Sequence, residues 1–166
     1  MKTIFYFAFL MVALSFRGYS EEKENGGAQE SGVSYFVENN FVSRYQSATN
    51  VKWTVCNQFQ KASFVLDGVK MEAFYDNSGN YIATSQYVDS SRLPAISRVR
   101  LEKEFKNYQV DEVVRYDLDG TSQHESGTFA SPRNYNTLYF ASLKNNNEKM
   151  ILKITPDGEM AFLKNM

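Results

Sequence analysis

One hairpin pattern occurs twice in this chain, and it constrains the fold more than any other feature. The segment Val69–Tyr87 has the pattern of two strands around an Asp-Asn-Ser-Gly turn, and Glu148–Asn165 has two strands around Pro-Asp-Gly. A constant offset of 79 residues places Gly79 on Gly158. In such turns Asp and Asn bond to their own backbone, and Gly takes the left-handed conformation. The pattern therefore predicts one structural unit that the chain builds twice.

Residue spacing around the hairpins predicts the rest of each unit. Helical spacing over 35–48 follows Ser34 as a candidate N-cap, and Leu93-Pro94 opens a second helix. Alternating apolar residues predict strands at 51–56, 59–66, 69–75, 81–88, 108–118, 135–143 and around Met150 and Met160. We predict an α+β fold in which a helix and a four-stranded antiparallel sheet occur twice (αβ4, residues 35–90 and 91–166). Both units form a single domain, with the helices packed on one sheet face.

The N-terminus has the features of a cleaved signal peptide at residues 1–20. Lys2 precedes an apolar run over 4–16, and small residues before Glu21 suit cleavage. The run is shorter than the roughly 20 residues that span a bilayer, which disfavours the alternative of an uncleaved anchor. We expect a periplasmic or secreted protein with no transmembrane segment after cleavage, beginning with a flexible leader over 21–34.

Charge and cysteine content narrow the possible partners. The chain has 18 Lys and Arg against 19 Asp and Glu, so the loss of Lys2 and Arg17 with the signal peptide leaves 16 against 19, or −3. Because there is no basic excess, we expect no nucleic-acid partner. Cys56 is the only cysteine, so no internal disulfide can form, and we interpret it as a half-buried strand residue.

Few residues in the sequence could carry chemistry. His124, the only histidine, lies in a polar insertion over Asp119–Asn134 that has no long counterpart in the first unit. A metal ligand or general base needs converging partners, so we interpret His124 as a solvated loop residue. The acidic turns lack the spacing of a calcium loop, and phosphate-loop, dinucleotide and zinc motifs are absent. We expect no catalytic residue, no metal site and no cofactor.

The sheet side opposite the helices is the predicted interaction surface. Strand alternation turns Trp53, Phe64, Met71 and Tyr75 toward the helices and leaves charged residues and one aromatic on the other side. The surface residues are Lys61, Lys70, Glu72 and Phe74. An aromatic side chain among charges is typical of a recognition surface, and it also occurs on ordinary sheets. If the surface is exposed, Phe74→Ala should weaken capture of a partner without unfolding the domain, whereas Trp53→Ala should cost roughly 3–5 kcal/mol.

Several of these short motifs together resemble a known family of exported bacterial proteins. They are Asn50-Val-Lys-Trp53 after the first helix, Ala62-Ser-Phe64, the Tyr75-Asp-Asn-Ser-Gly79 turn and Leu93-Pro94. The set looks like the PepSY-like proteins of Bacteroidetes-type bacteria, also described as β-lactamase-inhibitor-like, over roughly Phe36–Met166. The resemblance implies a tandem αβ4 fold, export and no known catalytic centre. The β-lactamase inhibitors bind an enzyme across a concave sheet and carry disulfides, which this chain cannot form.

Two classes of function are left open by the sequence. The first is an exported, non-catalytic binding module whose partner is an unknown protein or envelope-associated ligand, including an inhibitor or accessory of a cell-envelope or secreted enzyme. The alternative is a small ligand carrier or a carboxylate-based hydrolase, which would need an internal cavity lined by the abundant aromatic residues.

Overall fold

The computed structural model describes residues 32–57, 59–119, 135–146 and 148–165. The predicted signal peptide, most of the leader, and His124 with most of the polar insertion lie outside these ranges. In chain order the elements are α1 (Tyr35–Arg44), β1 (Thr49–Val55), β2 (Gln60–Leu66), β3 (Val69–Tyr75), β4 (Tyr81–Val88), a 3-10 turn (Ser90–Arg92), α2 (Ala95–Glu104), β5 (Gln109–Leu118), β6 (Thr137–Lys144), β7 (Lys149–Ile154) and β8 (Met160–Asn165).

The helix α1 begins where the sequence predicts and ends earlier. The Ser34 hydroxyl accepts a hydrogen bond from the Val37 backbone N–H at 3.3 Å, which confirms Ser34 as the N-cap. Tyr45 leaves the helical conformation, while its N–H still bonds to the Phe41 carbonyl. The predicted helix over 35–48 therefore stops at Arg44, and its last residues form the turn into β1.

Two hairpin turns lie directly beneath the helices. Gly79 and Gly158 have φ angles of 88° and 89°, a region that side chains other than glycine rarely adopt. A Cβ on Gly158 would also lie 2.1 Å from Cγ2 of Ile96 in α2. Arg100 donates a hydrogen bond from its guanidinium to the Gly158 carbonyl at 3.0 Å, and Asn40 donates to the Gly79 carbonyl at 3.5 Å. Backbone conformation thus favours glycine in both turns, and the close approach of Ile96 requires it at Gly158 as well.

The prediction of two αβ4 units, each with its own four-stranded sheet, is wrong. The strands form one eight-stranded antiparallel sheet in the order β1 to β8, with two α-helices in the described residues. β4 pairs with β5 in unbroken register from Ala83/Leu118 to Val88/Val113. Two separate sheets would leave β4 and β5 as open edges, and their pairing removes both edges. Pattern reasoning identified the individual strands but could not show that the two halves share a sheet.

The sheet carries apolar residues on both faces. On one face α1 residues cluster with Phe64 and Tyr75, and α2 residues cluster with β5 to β7. The other face, here called the helix-free face, carries a third cluster to which neither described helix contributes. That cluster consists of Phe59, Phe74, Ala83, Val114, Tyr116, Leu118, Leu138, Phe140 and Ile151. The predicted alternation is confirmed, because Trp53, Phe64, Met71 and Tyr75 share the face that contacts α1.

Phe74 is buried, contrary to the prediction of an exposed aromatic. Its side chain is 0% exposed. The ring stacks on Tyr116 with centroids 6.1 Å apart and meets Phe59 edge-on at 6.0 Å. Trp53, predicted as core, lies on the edge strand and is only partly buried. The strand alternation was therefore right, but exposure cannot be read from alternation when apolar side chains pack together on both faces of a sheet.

We expect Phe74→Ala to destabilise the protein more than Trp53→Ala, which reverses the order expected from the sequence. Deleting a fully buried Phe ring should cost roughly 3–5 kcal/mol, whereas a partly buried edge Trp should cost about 2 kcal/mol. Urea unfolding of the two variants and the wild type measures the difference. If Phe74→Ala lowers the free energy of unfolding no more than Trp53→Ala does, the result would contradict the burial of the Phe74 ring.

Candidate functional site

The helix-free face is the candidate site because it places charges among aromatic rings. Lys61 on β2 and Glu72 on β3 lie on this face as a diagonal pair, because Lys61 directly opposes Phe74, two residues from Glu72. Lys61 Nζ lies 2.6 Å from Glu72 Oε1, and the two side chains are 4% and 12% exposed. Charges removed from water are costly unless they are paired, so this ion pair must form for the face to fold as it does.

Aromatic residues surround the ion pair along β3 to β6. Tyr116 stacks on Phe74 and meets Phe140 edge-on, with centroids 5.2 Å apart. Burial raises the pKa of the Tyr116 hydroxyl, and the negative charge of Glu72 raises it further. Tyr116 is therefore neutral at all physiological pH values. The ion pair thus adjoins a fully buried aromatic row in which no group titrates near neutrality.

One accessible part of this face lies toward the β2–β3 turn. The register pairs Ala83 with Leu118 and Tyr87 with Val114, so Tyr87 lies on the same face as Tyr116. Tyr87 is 42% exposed, and Lys70 on β3 is exposed. An exposed tyrosine beside a lysine offers contact area and hydrogen bonding at little cost in side-chain entropy. A partner could therefore reach both residues.

The four predicted surface residues lie on this one face in different environments. Lys61 and Glu72 form the ion pair, Phe74 belongs to the buried cluster, and only Lys70 is well exposed. Sequence reasoning missed Tyr87 and Tyr116. Each alternates with the correct phase on its strand. Tyr87 comes near Glu72 through the pairing of β3 with β4, and Tyr116 does so only through the further pairing of β4 with β5.

A second polar group lies on the opposite face, under α1. Thr84 contacts the hydroxyls of Tyr81 (2.7 Å) and Tyr45, and the Arg44 guanidinium lies 4.0 Å from the centroid of the Tyr81 ring. Burial raises the pKa of Tyr75 and of Tyr81. The contacts of the Tyr45 and Tyr81 hydroxyls with Thr84 connect the end of α1 to the sheet, so we interpret them as structural.

Two cavities lie away from the helix-free aromatic cluster. One of about 390 Å³ is lined by polar residues around Asn107 and the β6–β7 turn. The other, of about 510 Å³, lies between α2 and β5, where Leu101, Phe105 and Val110 form part of its lining. Neither cavity includes a residue of the helix-free cluster.

Within the described ranges, no three His, Cys, Asp or Glu side chains are arranged to hold a metal ion. Among the same residues, neither helix has the length and apolar character needed to cross a bilayer.

Comparison with known proteins shows similarity at the level of the fold. No family model and no curated protein matches the sequence. A DUF2874 family protein from Bacteroides uniformis ATCC 8492 superposes with a TM-score of 0.64 at 14% identity, over 81% of this chain and 88% of that chain. A BLIP-like protein from Bacteroides fragilis NCTC 9343 superposes with a TM-score of 0.60 at 19% identity, over 80% of this chain and 84% of that chain. A candidate periplasmic protein from Bacteroides eggerthii DSM 20697 superposes with a TM-score of 0.61 at 17% identity, over 85% of this chain and 89% of that chain.

These similarities bear on the family resemblance seen in the sequence. The fold neighbours agree with its β-lactamase-inhibitor-like part. The PepSY-like designation stays a prediction. At identities below 20% the likeness shows a shared fold, and function must be argued from the site itself.

We predict that removing one member of the buried ion pair destabilises the protein far more than replacing both members. Lys61→Met leaves Glu72 without this lysine in a largely buried position, so it should destabilise the protein by about 3 kcal/mol. Combining it with Glu72→Leu should recover most of that loss, because a well-packed apolar pair replaces the charges. Urea unfolding at neutral pH measures both variants.

The pair of Lys144 with Asp111 provides a matched control, because the Lys144 side chain is 50% exposed. Lys144→Met should cost less than about 1 kcal/mol. The account fails if Lys61→Met costs no more than Lys144→Met, or if the double variant is as unstable as the single one.

Proposed function

We propose that this protein is an exported, non-catalytic module that binds a protein partner through the helix-free face. The observation that carries the proposal is the nearly buried Lys61–Glu72 ion pair, embedded in an aromatic cluster and adjoining the accessible residues Tyr87 and Lys70. A buried ion pair adds little stability compared with apolar residues of the same size. Its presence is better explained by a requirement on the shape and charge of this face than by a requirement of the fold.

The comparisons support this proposal in its broad form. The structural neighbours include a BLIP-like protein and a candidate periplasmic protein, and both share the fold at low identity. Export also fits the predicted signal peptide. Within this proposal, the partner is an enzyme of the cell envelope or a secreted enzyme, which the module inhibits or assists.

The alternative function from the sequence, a ligand carrier or carboxylate-based hydrolase, receives less support. It requires a cavity lined by the aromatic residues. The cavities of about 390 and 510 Å³ lie instead beside polar turns and α2, away from the helix-free cluster. No carboxylate pair in the described residues is associated with either lining, so we do not propose this function.

Capture experiments with two tyrosine variants test the proposal. Immobilised mature protein is incubated with envelope extract of the source organism, and captured proteins are quantified by mass spectrometry. Tyr87→Ala should reduce recovery of the specific partner at least roughly tenfold, because a central interface tyrosine commonly contributes ~2 kcal/mol. Tyr35→Ala is the matched control, since Tyr35 is 73% exposed on α1.

The two possible results are easily distinguished. A protein retained by the wild type and Tyr35→Ala but lost with Tyr87→Ala supports the proposal. Identical sets of captured proteins for all three baits, with thermal midpoints unchanged, would show that the helix-free face is not the binding surface.

A further inference from the structure

The first strand of the sheet directs backbone hydrogen-bonding groups toward an open edge. β1 pairs only with β2 in the strand order of the described residues. The Cys56 N–H donates to the Phe59 carbonyl at 2.9 Å, and the register then pairs Thr54 with Lys61. Hydrogen-bonded pairs alternate in an antiparallel ladder. The N–H and C=O groups of Trp53 and Val55 therefore point away from β2.

The side chains along this edge are apolar on one side. Trp53 and Val55 lie on the face that contacts α1, and Val55 is 48% exposed. Trp53 is partly buried and packs edge-on against Phe41 with centroids 5.3 Å apart. Every β1 residue except Trp53 is exposed. An exposed edge with outward backbone groups and apolar side chains is a template for pairing with another strand.

The opposite edge of the sheet is protected in a way that β1 is not. The pairing of β7 with β8 shifts register between Ile151 and Leu152, which places a bulge in the middle of β8. Bulges twist an edge and interrupt its ladder. In β1 the irregularity lies at the start, between Thr49 and Lys52, and pairing is regular from there to Val55. The regular part of β1 is therefore the better pairing edge.

We propose that two copies of this protein pair through β1, antiparallel, about a two-fold axis at Thr54. This axis places Trp53 of one copy opposite Val55 of the other, and the reverse, so both outward-facing residues of each copy are used. Each such pair exchanges two backbone hydrogen bonds. The two eight-stranded sheets then continue into one another across the axis.

The side chains are compatible with this self-pairing. Thr54 lies opposite Thr54 of the second copy, a favourable cross-strand pair, and each Trp53 lies beside a valine. Lys52 lies opposite Cys56 rather than opposite another lysine, so like charges do not oppose each other. An axis at Lys52 would place two lysines face to face, which is destabilising.

The contact is small, and this sets the expected strength of the dimer. Stable complexes bury about 1,200–2,000 Å² in total, more than one short edge strand can supply. We therefore infer a dimer that forms reversibly as protein concentration rises. It uses the sheet edge and leaves the helix-free face available, so it is independent of the proposed partner binding.

Cysteine cross-linking tests the register directly. In the Cys56→Ser background, Thr54→Cys should form a disulfide-linked dimer under mild oxidation, because non-hydrogen-bonded antiparallel residues lie ≈ 4.5 Å apart at Cα, within disulfide range. Lys70→Cys in the same background is the control, since Lys70 is exposed on β3, away from the edge. The readout is a non-reducing gel of the mature protein.

A proline variant provides a second test of the proposed dimer. Val55→Pro removes an outward N–H and none of the hydrogen bonds to β2, so it should abolish concentration-dependent dimerisation in sedimentation experiments while retaining the circular dichroism spectrum. The proposal is overturned if Thr54→Cys cross-links no more than Lys70→Cys. It is equally overturned if the wild type sediments as a monomer at every concentration, or if folded Val55→Pro still dimerises.

Discussion

The pairing of β4 with β5 is the interaction on which the rest of the structure depends. It joins the first four strands to the last four without a register shift. Two further hydrogen bonds reinforce the pairing of β4 with β5. The Asp119 N–H donates to the Ile82 carbonyl at 2.9 Å, and the Tyr81 hydroxyl donates to the Asp117 carbonyl at 3.2 Å. Of the eight β4 residues only Tyr87 is exposed, as expected for a central strand.

The pairing of β4 with β5 also creates the candidate site. Tyr116 comes from β5, yet its ring stacks on Phe74 of β3, and its hydroxyl is influenced by the charge of Glu72. Without the pairing of β4 with β5, the aromatic row would be divided between two sheets. The cluster around the Lys61–Glu72 ion pair is therefore a property of the continuous sheet. Its strongest physical constraint is that each charge needs the other, because both are largely removed from water.

Local structure could be predicted from the sequence wherever it depends on residues close together in the chain. The Ser34 cap, the Gly79 and Gly158 turns and the strand alternation were all readable, because each depends on residues close together in the chain. Sheet topology was not readable, since a repeated hairpin does not show whether neighbouring halves pair. The exposure of Phe74 was misjudged for the same reason, because its burial involves Tyr116, which is 42 positions away. Of the candidate site, the sequence indicated that Lys61, Lys70 and Glu72 share a face, but not that Lys61 and Glu72 are largely buried, and it did not indicate the tyrosines.

Amide hydrogen exchange of β4 and β5 tests the single continuous sheet most directly. The account predicts that the protected amides of Tyr81–Val88 and Gln109–Leu118 are among the slowest to exchange and open with one common free energy, close to that of global unfolding. If the halves were separate units, exchange would instead divide into two groups, with β1–β4 opening independently of β5–β8. That second result would contradict the account.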